Sequence, residues 1–136
     1  MSDFPITIYH NPACGTSRNT LAMIEAAGYQ PTVVEYVKEG WTRERLEQLL
    51  SSMGVGPRDV LRTKGTPAEE LGLLGAGVSD EAILAAMVEH PILVNRPIVV
   101  TPKGTRMTRP SEQVLDLLEQ QPEGFTKEDG EVVRPR

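Results

Sequence analysis

The chain up to residue 37 reads as strand, helix and strand, and this order limits the folds open to it. Ile6 and Ile8 alternate with polar neighbours, which is typical of a half-buried strand. Leu21 and Ile24 form an apolar helical stripe, and Thr32–Val37 is rich in residues that favour strands. Because a helical crossover joins parallel strands, we predict a βαβ unit.

The chain has one cysteine, Cys14, and it lies where the first strand gives way to the helix. Pro12, Gly15 and Ser17 make its surroundings a polar turn, which argues against the alternative of an inert cysteine in an apolar core. Amides in the first turn of a helix have no intrahelical partner and carry partial positive charge. The sequence therefore predicts a thiol whose ionised form is stabilised by a helix N-terminus.

A helix end is too weak to activate this thiol by itself. Lowering a thiol pKa by about two units requires about 2.7 kcal/mol of preferential thiolate stabilisation. A helix N-terminus usually supplies about 0.3 to 1 kcal/mol. We therefore expect additional positive charge beside Cys14, from His10, from Arg18 or from arginines elsewhere in the chain.

Composition and charge exclude several functional classes. The 136 residues fit one domain, and a net charge of −5 argues against general binding of nucleic acid. No apolar run approaches the roughly 18 residues of a membrane span, so we expect a soluble, cytoplasmic protein. One cysteine allows neither an internal disulfide nor a cysteine-rich metal site. Any redox chemistry needs a second thiol from another molecule.

The middle of the chain is predicted to be a mostly helical block. Capping residues and short apolar stripes mark its elements. In order, these are a helix from Thr42 to Gly54, short helices at Pro57–Arg62 and Thr66–Leu71, and a helix from Ser79 to Glu89, all within residues 42–90.

Strand character returns after this block. Pro97–Thr101 and Thr105–Thr108 flank a Pro/Gly turn, a pattern that predicts an antiparallel hairpin. A last helix is expected to begin at Pro110 or Ser111. The tail, about residues 122–136, is polar and is expected to be mobile or only loosely docked. We expect residues 1–136 to form a single domain.

The summed order, βαβ, helical block and ββα, is the layout of an α/β domain with the thioredoxin-like fold. Its sheet would be mixed and four-stranded, with the helical block inserted before the hairpin. Three stretches resemble the signatures of the glutaredoxin-dependent arsenate reductases, the ArsC family: His10–Ser17, Val94–Val99 and Thr108–Glu112. The resemblance extends from Ile6 to Gly130.

The resemblance implies a reaction in which Cys14 attacks arsenate as a thiolate and forms a thiol–arsenate adduct. Glutathione and a glutaredoxin would then supply the reducing thiols before arsenite departs. No bound cofactor and no metal are implied. Serine at position 17, where a dithiol motif would carry a second cysteine, fits this dependence on external thiols.

The resemblance also assigns roles around the thiol. Arg62, Arg96 and Arg109 match three arginines that surround the oxyanion, and a guanidinium offers the planar fork of donors that an oxyanion accepts. Pro97 matches a cis-proline beside the thiol.

Two further residues are assigned to support the thiolate. His10 would tune the thiol either as an imidazolium or as a neutral ring that holds the loop. Ser17 would either donate a hydrogen bond to the thiolate or cap the helix.

Two other functions are compatible with this layout. A monothiol glutaredoxin-like thiol transferase would use Cys14 on glutathione mixed disulfides and would not need the three arginines. A thioredoxin-like regulator that binds RNA polymerase is the other alternative, although its redox-sensing members carry two cysteines where this chain has Cys14 and Ser17.

Overall fold

The computed structural model describes residues 4–135, which divide into two compact units. One unit contains the chain up to Glu35 and from Arg96 onward, and the other is Tyr36–Asn95. The helical segment between the two halves of the first unit is therefore longer than the predicted block of residues 42–90. Whether the whole chain acts as a single domain remains a prediction.

A mixed four-stranded sheet forms the first unit, as the sequence predicts. Its order is β2-β1-β3-β4, with β1 and β2 parallel and the other neighbours antiparallel. The strands are β1 (Thr7–His10), β2 (Thr32–Glu35), β3 (Ile98–Thr101) and β4 (Gly104–Met107). The predicted βαβ unit and the predicted hairpin are both confirmed, and the β3–β4 turn is one residue tighter than expected.

Helix α1 (Gly15–Ala26) begins directly after Cys14, as predicted. It ends at Ala27, and Gly28 follows with a φ of 99°, a left-handed conformation that glycine adopts without strain. Its buried residues are Ser17, Thr20, Met23 and Ile24, whereas Leu21 is only partly buried. The buried face is thus more polar than the predicted Leu21–Ile24 stripe.

Strand β2 is shorter than the sequence predicts. It ends at Glu35, and Tyr36–Glu39 forms a single helical turn, α2. The reason is that Tyr36 is buried, with its hydroxyl donating to the carbonyl of Val94 over 2.7 Å and its ring stacked on Trp41. These contacts bury the aromatic ring of Tyr36 and give its hydroxyl a hydrogen-bond partner.

The second unit contains two longer helices, α3 (Arg43–Met53) and α4 (Asp80–Glu89). Thr42 and Ser79 accept backbone hydrogen bonds as N-caps, and Gly54 ends α3 in the left-handed conformation, so all three predicted boundaries are confirmed. A short 3-10 helix occupies Pro57–Val60. The predicted helix at Thr66–Leu71 is wrong, because this segment forms successive turns.

The last predicted helix is a 3-10 helix over Ser111–Leu117. Its apolar residues Val114, Leu117 and Leu118 are buried, as their spacing predicts. They join β1, α1 and β3 in one apolar core. This core fixes the end of β1 and the start of α1, where Cys14 lies.

The prediction of a mobile or loosely docked tail is wrong for its described part. Two short strands, β5 (Phe125–Thr126) and β6 (Val132–Val133), pair as an antiparallel hairpin. Val133 is buried in the core and Phe125 packs against it. Apolar residues at both ends of the hairpin therefore hold it on the first unit.

Candidate active site

The turn before α1 presents Cys14 as the N-cap residue of the helix. Its backbone N–H donates to the carbonyl of Asn11 over 3.0 Å, and its own carbonyl accepts from the N–H of Arg18 at 2.9 Å. The side chain of Asn11 accepts from Ala13 N–H, which closes the turn a second time. Cys14 itself is 7% exposed. The turn thus aims Sγ at the free amides of the first helical turn.

The surroundings of Cys14 favour its thiolate. Burial raises the thiol pKa, but hydrogen bonds from the Ser17 and Thr16 amides, a side-chain hydrogen bond from Arg109 and the charge of Arg96 outweigh burial. The pKa of Cys14 therefore lies below its ordinary value. Both sources of stabilisation expected from the sequence, helix amides and remote cations, act on the same sulfur.

His10 and Ser17 form a buried network beneath the turn. The hydroxyl of Ser17 lies 2.7 Å from Nδ1 of His10 and accepts from Asn11 N–H over 3.0 Å. Burial lowers the pKa of His10, and the charge of Arg18 adds to this effect against the opposing charges of Glu35 and Glu25. This shift favours the neutral ring, which corresponds to the second of the two roles considered for it.

The hydroxyl of Ser17 does neither of the two things considered for it. Helix α1 has no side-chain cap at Cys14, and the hydroxyl is engaged with His10 and Asn11. The backbone amide of Ser17 bonds to the sulfur instead. A neutral Nδ1 can accept a hydrogen bond from the Ser17 hydroxyl, while the hydroxyl oxygen accepts one from Asn11 N–H. One buried serine thus provides a hydrogen-bond partner for both neighbours.

Arg109 is the side chain that the structure places directly at the thiol. Its Nη1 lies 3.7 Å from Sγ of Cys14 and donates to the carbonyl of Arg96 over 2.9 Å. The Arg96–Pro97 peptide bond is cis, the conformation that the resemblance implies. The Arg109–Pro110 bond is also cis, which the sequence did not predict.

Two buried threonines tie the Arg109 segment to α1. Thr108 donates its N–H to the carbonyl of Pro97 at 3.0 Å, and its hydroxyl lies 3.2 Å from that of Thr20. Thr20 also donates to the carbonyl of Thr16, inside the first turn of α1. The residue before Arg109 is therefore fixed to the helix that carries the thiol. Sequence patterns gave no signal for these threonines.

Arg62 belongs to the second unit, beyond the Pro57–Val60 helix. Its backbone N–H donates to the carbonyl of Leu93 over 2.7 Å and its Nε donates to the carbonyl of Lys64 at 3.0 Å. Its proposed role at the oxyanion rests on the resemblance and remains a prediction.

An ion pair that the sequence analysis missed lies at the start of α1. Arg18, considered only as a cation for the thiol, pairs with Glu128 of the tail hairpin at 2.8 Å. The Asp129-Gly130 dipeptide favours a turn and could have revealed the hairpin that carries Glu128.

The donor set is suited to a small anion. It combines backbone amides, guanidinium groups and a nucleophilic sulfur. Within residues 4–135, no cluster of three or more His, Cys, Asp or Glu side chains is placed to hold a metal ion. None of the helices in this range is long and apolar enough to cross a membrane.

Known proteins with similar sequences are named arsenate reductase. The arsenate reductase ArsI1 of a Synechocystis species is 61% identical over 98% of this chain and 93% of its own length. An arsenate reductase of Rhizobium meliloti is 60% identical over 94% of this chain and 92% of its own.

The fold and a family model agree with these relatives. A solved arsenate reductase from Vibrio cholerae superposes with a TM-score of 0.80 at 42% identity, covering 86% of this chain and all of its own. The sequence model of the ArsC family matches residues 9–117, a range that includes Cys14, Arg62, Arg96 and Arg109. This chain belongs to the ArsC family.

Proposed function

We propose that this protein is an arsenate reductase that converts arsenate to arsenite with Cys14 as its nucleophile. One observation carries the proposal: a guanidinium nitrogen of Arg109 lies 3.7 Å from the sulfur of a thiol whose pKa is lowered. In such an arrangement the guanidinium can bind an oxyanion through its planar set of donors, and the thiolate can attack the central atom of that oxyanion. The names of the relatives support arsenate as that oxyanion.

The first step is a condensation without electron transfer. The thiolate of Cys14 attacks arsenic, a sulfur–arsenic bond forms and an arsenic–oxygen bond breaks. The departing oxygen leaves as water, with protons from arsenate and solvent. Arsenic remains in the +5 state. The guanidinium of Arg109 is placed to balance the negative charge that gathers at the sulfur and the oxyanion.

The second step reduces arsenic by two electrons and needs external thiols. Cys14 is the one cysteine in these 136 residues. We propose that glutathione and a cysteine of glutaredoxin each give up one electron and one proton and end as a mixed disulfide. Hydrolysis of the remaining sulfur–arsenic(III) bond then returns the thiol and releases arsenite. A cytoplasmic location would supply reduced glutathione.

The arginines have separable roles in this proposal. Arg109 contacts both the sulfur and the carbonyl of Arg96, so it supports the thiolate before substrate arrives. The positive charge of Arg96 stabilises the thiolate of Cys14. Arg62 is proposed to complete the binding of the oxyanion, on the strength of the family resemblance.

A coupled assay tests the whole proposal. Arsenite formation is measured with arsenate, glutathione and glutaredoxin, and each component is omitted in turn. We expect activity only in the complete mixture. Activity without glutaredoxin would contradict the proposed source of electrons. Transfer of glutathione between disulfides without any arsenite would favour the thiol transferase alternative instead.

A further inference from the structure

The tip of the C-terminal hairpin, Lys127 and Glu128, lies outside every role described so far. The hairpin turn is closed by two backbone hydrogen bonds, from Lys127 N–H to Glu131 O and from Gly130 N–H to Lys127 O, over 2.8 and 2.9 Å. Val133 is buried in the core and Phe125 packs against it, so both strands that flank the tip contact the first unit. The two charged side chains of the tip contact different helices: Glu128 contacts Arg18 of α1, and Lys127 contacts Glu112 of the Ser111–Leu117 helix.

Glu128 contacts Arg18 and Asn19 of helix α1, which begins directly after Cys14. Its carboxylate accepts from Nε and Nη2 of Arg18 at 2.8 and 2.9 Å, an arrangement in which both oxygens are used. The remaining nitrogen, Nη1, donates to the carbonyl of Pro12 over 2.8 Å. The backbone N–H of Glu128 also donates to the side chain of Asn19. Arg18 thus bridges the hairpin tip and the turn before Cys14.

This ion pair lies beside Gly15, the residue that follows the nucleophile in the chain. A methyl group placed on Gly15, the residue after Cys14, would lie 3.7 Å from Nη2 of Arg18 and 3.7 Å from an oxygen of Glu128. The pair therefore packs against the first residue of α1. Arg18 therefore links the Pro12 carbonyl, in the turn before Cys14, to the helix whose first amides bond to the sulfur.

Lys127 contacts the first turn of the Ser111–Leu117 helix, which follows Arg109 in the chain. Its Nζ lies 2.8 Å from the carboxylate of Glu112, three residues after Arg109, and 2.5 Å from that of Glu131. Burial opposes the charged form of Lys127, but these two carboxylates outweigh it and raise the lysine pKa. The lysine is thus a fixed cation that joins the hairpin to the start of the Ser111–Leu117 helix.

The Arg18–Glu128 pair is too exposed to contribute much to the stability of the fold, which points to another role. Its side chains are 44% and 50% exposed, and such pairs contribute little to folding. We propose that Lys127 and Glu128 are positioning residues that hold the Cys14 turn and the Arg109 loop in register for the oxyanion. This inference rests on the proposed reductase function. Glu128 acts through Arg18 and Pro12, and Lys127 acts through Glu112.

The test combines Glu128→Ala, Glu128→Gln, Arg18→Ala and the double variant Arg18→Ala/Glu128→Ala. We expect Glu128→Ala to lower kcat/KM for arsenate by about tenfold, because small misplacements of reacting groups are costly. Glu128→Gln should lose less, since its amide oxygen can still accept from Arg18. If Glu128 acts through Arg18, the double variant will be no slower than Arg18→Ala alone.

A second measurement does not involve arsenate. The rate at which iodoacetamide alkylates Cys14 is measured as a function of pH. In Glu128→Ala this pH profile should move to higher pH, because the backbone amides that bond to the sulfur would no longer be oriented toward it. An unchanged profile would overturn the inference. A shift to lower pH would also overturn it, because Glu128 would then act only as a negative charge near the thiolate.

Glu123→Gln is the matched control, since it removes an exposed carboxylate from the same tail outside the hairpin. It should leave activity and alkylation unchanged, and all variants are checked by urea unfolding. If the wild-type protein makes no arsenite, the proposed function fails while the alkylation profiles still test positioning. If wild type is active and Glu128→Ala behaves like Glu123→Gln, the positioning inference alone fails.

Lys127→Met tests the other arm of the hairpin tip. The methionine keeps an unbranched apolar stem but loses the charge that holds Glu112. We expect KM for arsenate to rise about threefold to tenfold through Arg109, with a smaller change in kcat. An unchanged KM would remove Lys127 from the proposal.

Discussion

The environment of Cys14 has two parts that differ in origin and in physical character. The local part comes from residues 10–17 and consists of backbone amides and the hydrogen-bonded His10–Ser17 network. The remote part consists of Arg96 and Arg109, and Arg109 is 95 residues away in the chain. One part consists of oriented dipoles, and the other of full charges.

This difference assigns separate tasks to the two parts. Dipoles held by a turn and a helix end stabilise the thiolate whether or not substrate is present. Cations brought in by the sheet and the following loop stabilise the thiolate and can also bind the oxyanion. Changes in the local part should therefore affect stability most, and changes in the remote part should affect catalysis most.

The largest effect is expected where both parts act, at the sulfur. Cys14→Ser should lower arsenite production by at least about a thousandfold, since a hydroxyl is not ionised near neutral pH. The coupled glutathione and glutaredoxin assay measures this loss. Retained activity would show that neither part of the environment serves catalysis. Urea unfolding checks that the variant is folded.

Removing the remote cation comes next. Arg109→Ala should lower kcat/KM for arsenate by about a hundredfold, because it removes a charged donor from the reacting centre. It should also raise the thiol pKa, so that alkylation by iodoacetamide slows at pH 6.5 but recovers at alkaline pH.

Arg106→Ala is the matched control for that change. Arg106 lies three residues earlier on β4, is about half exposed and pairs with Asp116 at 3.3 Å. Its loss should leave kcat/KM and the alkylation profile unchanged. Equal effects of the two substitutions would mean that net charge, and not position beside Cys14, explains the role of Arg109.

A change in the local part should mainly alter stability. Ser17→Ala leaves Asn11 N–H and the ring of His10 without their buried partner, at a cost of about 1 to 3 kcal/mol in the free energy of unfolding. The thiol pKa should change less than in Arg109→Ala, because the amide at position 17 remains. Urea unfolding measures the cost, with the exposed Ser52→Ala as control. A stability unchanged by Ser17→Ala would contradict the network.

The smallest effect concerns the pH dependence of stability. Burial lowers the pKa of His10, so the folded state binds fewer protons than the unfolded state as pH falls below about 6.5. The contribution of His10 to the free energy of unfolding is therefore complete above about pH 6.5. It is lost as the pH falls toward the pKa of His10 in the folded state.

His10→Asn should therefore flatten the loss of stability between pH 7.5 and pH 5.5. Free energies of unfolding at the two pH values measure this change, and the exposed His90→Asn serves as control. If both substitutions flatten the profile equally, His10 is not the buried neutral group described above.

Patterns local in sequence predicted much of the fold. The lone Cys14 between a strand and a helical stripe, the caps Thr42 and Ser79 and the Pro/Gly hairpin turn all depend on near neighbours, and all were found as expected. Their physical causes, backbone dihedral preferences and short-range hydrogen bonds, are written in a few adjacent residues.

The misses required information from distant residues. Strand propensity was overridden at Tyr36 by a hydrogen bond to Val94, 58 residues later. The polar composition of the tail predicts a loosely docked segment, but Val133 is buried in the core and Phe125 packs against it. In the site, the arginines came from the family resemblance, and only tertiary structure could place Arg109 at the sulfur.

The buried hydroxyl of Ser17 also decides what kind of redox protein this can be. A dithiol protein gives up two electrons when its two thiols form an internal disulfide, and it therefore has a midpoint potential. Here the position that would carry the second sulfur holds an inward-facing hydroxyl bonded to His10 and Asn11. With one cysteine the chain has no disulfide form of its own. In the proposed reaction, electrons therefore pass from external thiols to arsenic without being stored in the protein, and the thiol pool sets the driving force.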